Sequence, residues 1–321
     1  MFKWMFTRKA SYTCVDPGTA SAKTNRDSFG GDASTRSEAT PRPKMALSGK
    51  QRLLTVTTSH MYSISISTSK LFVLELDSDK WQPAGQFQGY VVAMDYSENV
   101  LYLCQKNPGG LFTTHVQVGR NQEKPEKIID GACTSVAVDP VVVRAFFINS
   151  SGLWSYNLVS KIITKLPVAL RGRANRIRVI VETREHVVYV YGRYKRDIRK
   201  YDHSGKFLTS FSIEYPVRDV VIYSGQSHSS LYCTYTVSPS VVNRYSLPGW
   251  ARTTDFKLTD THRWKLISSL AVTDNKIFLT YGRFLRVLDS KTLRENSTLV
   301  FETFGESFRN LLVIEGQNVI H

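Results

Sequence analysis

What this chain lacks narrows it quickly. Its 321 residues include only four cysteines and seven histidines. Cys14, Cys104, Cys133 and Cys233 stand far apart, and neither they nor the histidines show metal-ligand spacing such as His-x-x-x-His. The residues imply no metal and no cofactor. Walker, Rossmann and kinase signatures are missing too. Asp202-His203-Ser204 carries three catalytic residue types, but one tight turn cannot align consecutive neighbours for proton relay. The expectation is a protein that is not an enzyme. No run of about 18 apolar residues occurs, which argues against a transmembrane helix. The start, Met1 to Lys9, lacks the apolar core of a secretory signal. Cys104 and Cys233 fall within strand-like stretches and read as buried free thiols, which suits the cytosol or nucleus.

What the chain has is repetition. The triplets Leu54-Thr-Val56, Val92-Ala-Met94, Val136-Ala-Val138, Ile177-Arg-Val179, Val220-Val-Ile222, Leu270-Ala-Val272 and Leu311-Leu-Val313 recur every 38, 44, 41, 43, 50 and 41 residues. A period near 40 with several short β-runs in each period is the mark of a β-propeller, one four-stranded blade per repeat. Apolar residues at 42% and aromatics at 12% suffice for such a core. Six full repeats are expected between about residues 51 and 308. The tail, Leu311 to Ile314, starts another, and it either completes the first blade or begins a seventh. Closure matters because an open ring leaves two unpaired sheet edges. The expected organisation is an all-β propeller over 51–321, preceded by a disordered, basic, Ser/Thr-rich arm over 1–48 that buries too little apolar surface to fold.

The fourth repeat spells out its strands. Arg176 to Val181 and Val187 to Tyr191 are β-branched and aromatic, and Ile198 to Tyr201 follows. Asp202-His-Ser-Gly205 then makes a tight turn into Lys206 to Phe211. Aspartate there bonds its own downstream backbone and glycine accepts positive φ. Val187-Val-Tyr-Val-Tyr191 with Asp197-Ile-Arg-Lys-Tyr-Asp-His-Ser-Gly-Lys-Phe-Leu208 resembles the NHL repeat. Ser135-Val-Ala-Val-Asp-Pro140 with Gly152-Leu-Trp-Ser-Tyr-Asn-Leu158 is similar both to that repeat and to the low-density-lipoprotein-receptor type of propeller repeat. The resemblance implies six blades and hints at RNA as a ligand.

Charge supplies the remaining signal. The formal net charge is +15, which favours acidic partners. Between Arg171 and Lys206 eleven basic residues stand against four acids. In a blade, the entry to the inner strand and the loop between second and third strands open on one face. Arg171, Arg173 and Arg176 lie at the first place, and Arg193, Tyr194, Lys195 and Arg196 at the second. Lys106, Arg263 and Arg283 occupy comparable places in other repeats. The opposite face would carry Asp77, Asp79, Asp95, Glu98, Asp139, Glu182, Glu185, Asp202, Asp274 and Asp289, giving a ring polarised by charge. Acids at turns also have a purely local explanation in turn chemistry. The expected role is a scaffold whose basic loop face binds a protein partner through an acidic or phosphorylated segment. RNA bound by the arginine-rich repeat is the alternative. A hydrolase would need carboxylates in the central channel, for which Glu182 and Asp219 are the candidates on otherwise apolar strands.

Overall fold

The computed structural model describes residues 60–65, 70–75, 80–97, 100–115, 124–225, 228–236, 241–257, 267, 269–273, 275–281, 284–300 and 308–314. The arm expected over 1–48 and the triplet Leu54-Thr-Val56 lie outside them. All described residues fall in one unit, Leu54–His321.

The first three strands are β1 (His60–Ser65), β2 (Lys70–Glu75) and β3 (Lys80–Gln86). The second sheet is β4 (Val91–Ser97), β5 (Val100–Lys106), β6 (Gly109–His115) and β7 (Glu126–Asp130). The third is β8 (Cys133–Asp139), β9 (Arg144–Asn149), β10 (Gly152–Asn157) and β11 (Ile163–Lys165). A 3-10 turn, Ala174–Arg176, leads into the fourth, which is β12 (Ile177–Glu182), β13 (Val187–Gly192), β14 (Asp197–Asp202) and β15 (Phe207–Ser212). The fifth is β16 (Val217–Ser224), β17 (Ser229–Tyr235), β18 (Val241–Leu247) and β19 (Ala251–Lys257). The sixth is β20 (Ser269–Val272), β21 (Lys276–Tyr281), β22 (Phe284–Asp289) and β23 (Glu295–Val300). The last strand, β24 (Phe308–Ile314), does not open a seventh sheet. It pairs antiparallel with β1 and completes the first sheet in the order β24-β1-β2-β3.

Among the described residues there are six four-stranded antiparallel sheets, and their inner strands pack on one another in sequence: β4 on β8, β8 on β12, β12 on β16, β16 on β20, β20 on β24 and β24 on β4. That cycle is a closed β-propeller. Sewing the chain's last strand to its first removes the two free edges an open ring would expose.

Burial explains the sequence texture. In the second to sixth sheets, each second strand lies between two neighbouring sheets and is covered on both faces. Every residue of β17 is buried, as are Val187–Tyr191 of β13 and Ala145–Ile148 of β9. These strands therefore read as continuous apolar runs rather than alternating ones. The outermost strands face solvent, with β11 exposed throughout and β15 nearly so. The core is accordingly a set of wedges between sheets. One joins Phe146, Ile148 and Leu153 to Val179, Val188 and Tyr201, and the next joins Tyr189 and Tyr191 to Leu231 and Tyr235.

The inner strands carry a further device. Their channel-facing edges lack a strand partner, and side chains of the preceding sheet supply acceptors. Val138 N–H donates to Asp95 Oδ2 at 2.6 Å, Val179 N–H to Ser135 Oγ at 3.0 Å, and Val220 N–H to Tyr191 Oη at 3.3 Å. A buried N–H without an acceptor is costly, so these ties lock neighbouring sheets together.

One expectation fails. Cys104 of β5 and Cys133 of β8 are not free thiols but a disulfide, with Cα atoms 4.9 Å apart. They are 29 residues apart in sequence, yet ring closure sets their strands side by side. Cys233, in β17, is a buried free thiol, and burial pushes its pKa well up.

Candidate docking site

The fourth sheet builds a basic surface from two loops. The first enters β12 through the 3-10 turn capped by Arg173, with Arg176 N–H donating to Arg173 O at 2.9 Å. The second, Arg193–Arg196, joins β13 to β14. Arg193 N–H donates to Arg176 O at 2.6 Å, which clips the loops together. Three more bonds tie the second loop to Ile213 and to Val217, the first residue of β16. Tyr194 N–H donates to Val217 O, Val217 N–H to Lys195 O, and Ile213 N–H to Arg196 O, all between 2.8 and 2.9 Å. Tyr194 sits at φ 71°, a left-handed conformation that this stitching holds in place.

On this frame Arg171, Arg173, Arg176, Tyr194, Lys195 and Arg196 are exposed, and Arg193 is half-buried. The Arg176 guanidinium lies 5.4 Å from the centre of the Tyr194 ring, which is itself 49% exposed. Arg171, Lys195 and Arg199 line one cleft with Asp197, whose carboxylate is engaged by Arg199 at 3.2 Å. The other nearby acid, Glu214, pairs with Arg252 at 2.9 Å. Seven of the eight expected site residues therefore share one surface. Arg283 lies outside the described residues, as does Arg263. Lys106 is exposed at the end of β5, in the second sheet.

Beneath these loops lies a group that sequence reasoning missed. Arg178 of β12 and Asp219 of β16 belong to adjacent inner strands, and both feel the charge of Arg193 in the β13–β14 loop. Tyr191 Oη donates to Asp219 Oδ1 at 3.2 Å. Arg178 spends one guanidinium nitrogen on the carbonyls of Asn175 and Ile177, at 3.1 and 2.9 Å. Burial, followed by repulsion from Arg193, pulls the Arg178 pKa down to about 10. Burial raises the Asp219 carboxyl, although both arginines oppose the rise. Arg193 Nε is buried and has no hydrogen-bond partner among the described residues. An arginine inside an otherwise apolar inner strand, Ile177-Arg178-Val179, was the available signal.

The acids of the opposite turns prove to be spent. Asp139 is fully buried, caps its own turn through the N–H groups of Val141 and Val142, and faces His186 Nδ1 at 3.4 Å and His203 Nε2 at 3.3 Å in the next sheet. Burial opposes its ionisation, but these contacts prevail and lower its pKa. Glu182 is 1% exposed and repeats the scheme one sheet on. It caps the Arg184 and Glu185 N–H groups and accepts from Ser224 and Ser229 of the fifth sheet. Asp202 and Asp289 bind the N–H groups of their own turns. Glu185 pairs with Lys200. Asp77, Asp79, Glu98 and Asp274 lie outside the described residues. The expected acidic face is thus, for the described acids, largely a set of turn caps and clamps between sheets.

The same geometry answers the catalytic candidates. Ser204 Oγ donates to Asp202 at 2.6 Å while His203 turns to Asp139, so that turn forms no relay. The central cavity, about 280 Å³, is lined by the inner-strand triplets of the second to sixth sheets. Its one carboxylate among the described residues is Asp95, not Glu182 or Asp219. Asp95 is tied to the N–H groups of Tyr96 and Val138, and burial raises its pKa to about 6. No group of three or more His, Cys, Asp or Glu among the described residues is placed to hold a metal ion, and no described helix is long and apolar enough to cross a membrane.

Ring, channel and loop face together define a β-propeller. Solved structures share the fold: a chain of the nidogen/laminin complex is 10% identical, with a TM-score of 0.61 over 79% of this chain and 98% of its own length. AztD from Citrobacter koseri is 12% identical, with a TM-score of 0.55 over 83% and 100%. A protein of unknown function from Bacteroides caccae is 9% identical, with a TM-score of 0.57 over 80% and 99%. At such identities the likeness is one of fold. No protein-family model and no curated protein matches the sequence.

Proposed function

We propose that this propeller is a non-enzymatic docking protein whose basic loop face binds a protein partner through an acidic or phosphorylated segment. The observation that carries this reading is the exposure of Arg171, Arg173, Arg176, Lys195 and Arg196 on loops stitched into one surface. A rigid frame lowers the entropy cost of binding, and guanidinium groups offer paired donors to carboxylate or phosphate. The test is affinity capture by the intact chain and by the triple charge reversal Arg171→Glu, Arg173→Glu, Arg196→Glu, each with and without nuclease. Nuclease-resistant partners that disappear with the reversal support the reading. The same partners captured by both proteins would sink it.

RNA is the second reading, favoured by the Tyr194 ring beside Arg176 and by the NHL-like pattern of the fourth repeat. An exposed aromatic next to arginine is a stacking platform for an unpaired base. This reading predicts binding to single-stranded RNA whose affinity falls steeply with salt.

A further inference from the structure

The basic face has two tiers. The upper tier is exposed. The lower tier, Arg178 and Arg193 near Asp219, is half-buried where the β13–β14 loop meets the starts of β12 and β16, and its charges are not balanced. Both guanidinium groups favour the charged form of one carboxyl, Asp219, which already accepts from Tyr191. Arg193 Nε has no acceptor among the described residues. Leaving a charged donor buried and unpaired costs free energy unless a ligand supplies the acceptor.

We infer that Arg193, backed by Arg178, is the anchor for a phosphorylated side chain of the partner, with Arg176 and Lys195 guiding it in from the surface. This deepens the reading of the basic face as a docking surface and rests on it. A phosphate monoester fits better than a carboxylate on two counts. Its three acceptor oxygens meet the donors of more than one arginine, and its second negative charge matches the excess of guanidinium over carboxylate. Asp219 then serves as the counter-charge that keeps the pair tolerable in the empty protein, while Tyr191 fixes its orientation.

The experiment is calorimetric titration of the full chain with N-acetyl-phosphoserine N-methylamide, with the aspartate analogue and a short oligouridylate as comparators. The phosphoserine amide is expected to bind, and to bind more tightly as pH rises through about 6, where the phosphate takes its second charge. Arg193→Gln should weaken it about tenfold, the loss of one charge-assisted bond. Lys291→Gln, on the β22–β23 turn away from the basic face, should change it less than twofold, because that side chain is exposed. Asp219→Asn keeps an acceptor for Tyr191 but removes the competing charge, so it should tighten binding severalfold. That gain keeps the test decisive even if Arg193→Gln folds poorly. Equal affinity for the aspartate analogue, or binding indifferent to both Arg193→Gln and Asp219→Asn, would overturn the anchor. So would oligouridylate binding lost with Arg193→Gln while the phosphoserine amide does not bind. If partner capture still depends on the exposed arginines in those cases, the docking reading survives the loss of its anchor.

Discussion

The two loop faces of the ring use charge in opposite ways. On one face, Arg171, Arg173, Arg176, Lys195 and Arg196 reach into water from loops held by backbone hydrogen bonds. On the other, Asp139 and Glu182 are buried, with their oxygens committed to turn N–H groups and to the next sheet. Removing an exposed arginine leaves the frame intact, whereas removing a clamp carboxylate orphans several buried donors. The contrast separates the part of the charge that folds the protein from the part left for a partner.

The sharpest way to break this contrast is Glu182→Leu. Ser224, Ser229 and two turn N–H groups lose their acceptor, and a cost of about 3 kcal/mol is expected, read as a shifted urea midpoint with unchanged slope. Reduction of the Cys104–Cys133 disulfide frees a loop with a sequence separation of 29 and should cost roughly 3.5 kcal/mol on the chain-entropy model, measured as a lower Tm in reductant.

Asp95 and Asp139 sharpen the comparison through pH. The Asp95 pKa is raised to about 6, so the folded protein holds its proton more tightly than the unfolded chain does. Its contribution is fully present below about pH 4 and is lost as pH rises through 6, by as much as ~3 kcal/mol. Asp139 is lowered, so its contribution is present above the usual carboxylate range and fades only as pH falls below it. Asp95→Asn should therefore flatten the stability profile between pH 4 and 7, and Asp139→Asn should flatten it only at more acid pH. The smallest effect on folding belongs to the docking face. The triple reversal of Arg171, Arg173 and Arg196 should move stability by less than about 0.5 kcal/mol while abolishing partner capture. A large drop in Tm with that variant would show that these arginines hold the fold.

Legibility in the sequence followed locality. β13 was expected over Val187–Tyr191 and runs Val187–Gly192, and β14 begins one residue before its expected start. Those strands announce themselves because burial on both faces demands apolar, β-branched and aromatic residues in succession. The clustering of Arg173, Arg176, Arg193 and Arg196 was legible for a related reason, since blade topology places two loops of one repeat side by side. What escaped involved neighbouring repeats. Cys104 meets Cys133, Asp139 meets His203, and Tyr191 meets Asp219 only across a boundary between sheets. No spacing rule within one repeat encodes such a meeting.

By itself, then, the order of residues determined the repeat, the strands within it and the crowding of arginine in the fourth sheet, because these depend on local periodicity and turn chemistry. Only the closed ring decided which charges are free and which are consumed. Burial and hydrogen-bond saturation are properties of the packed neighbours, and those neighbours lie about forty residues away along the chain.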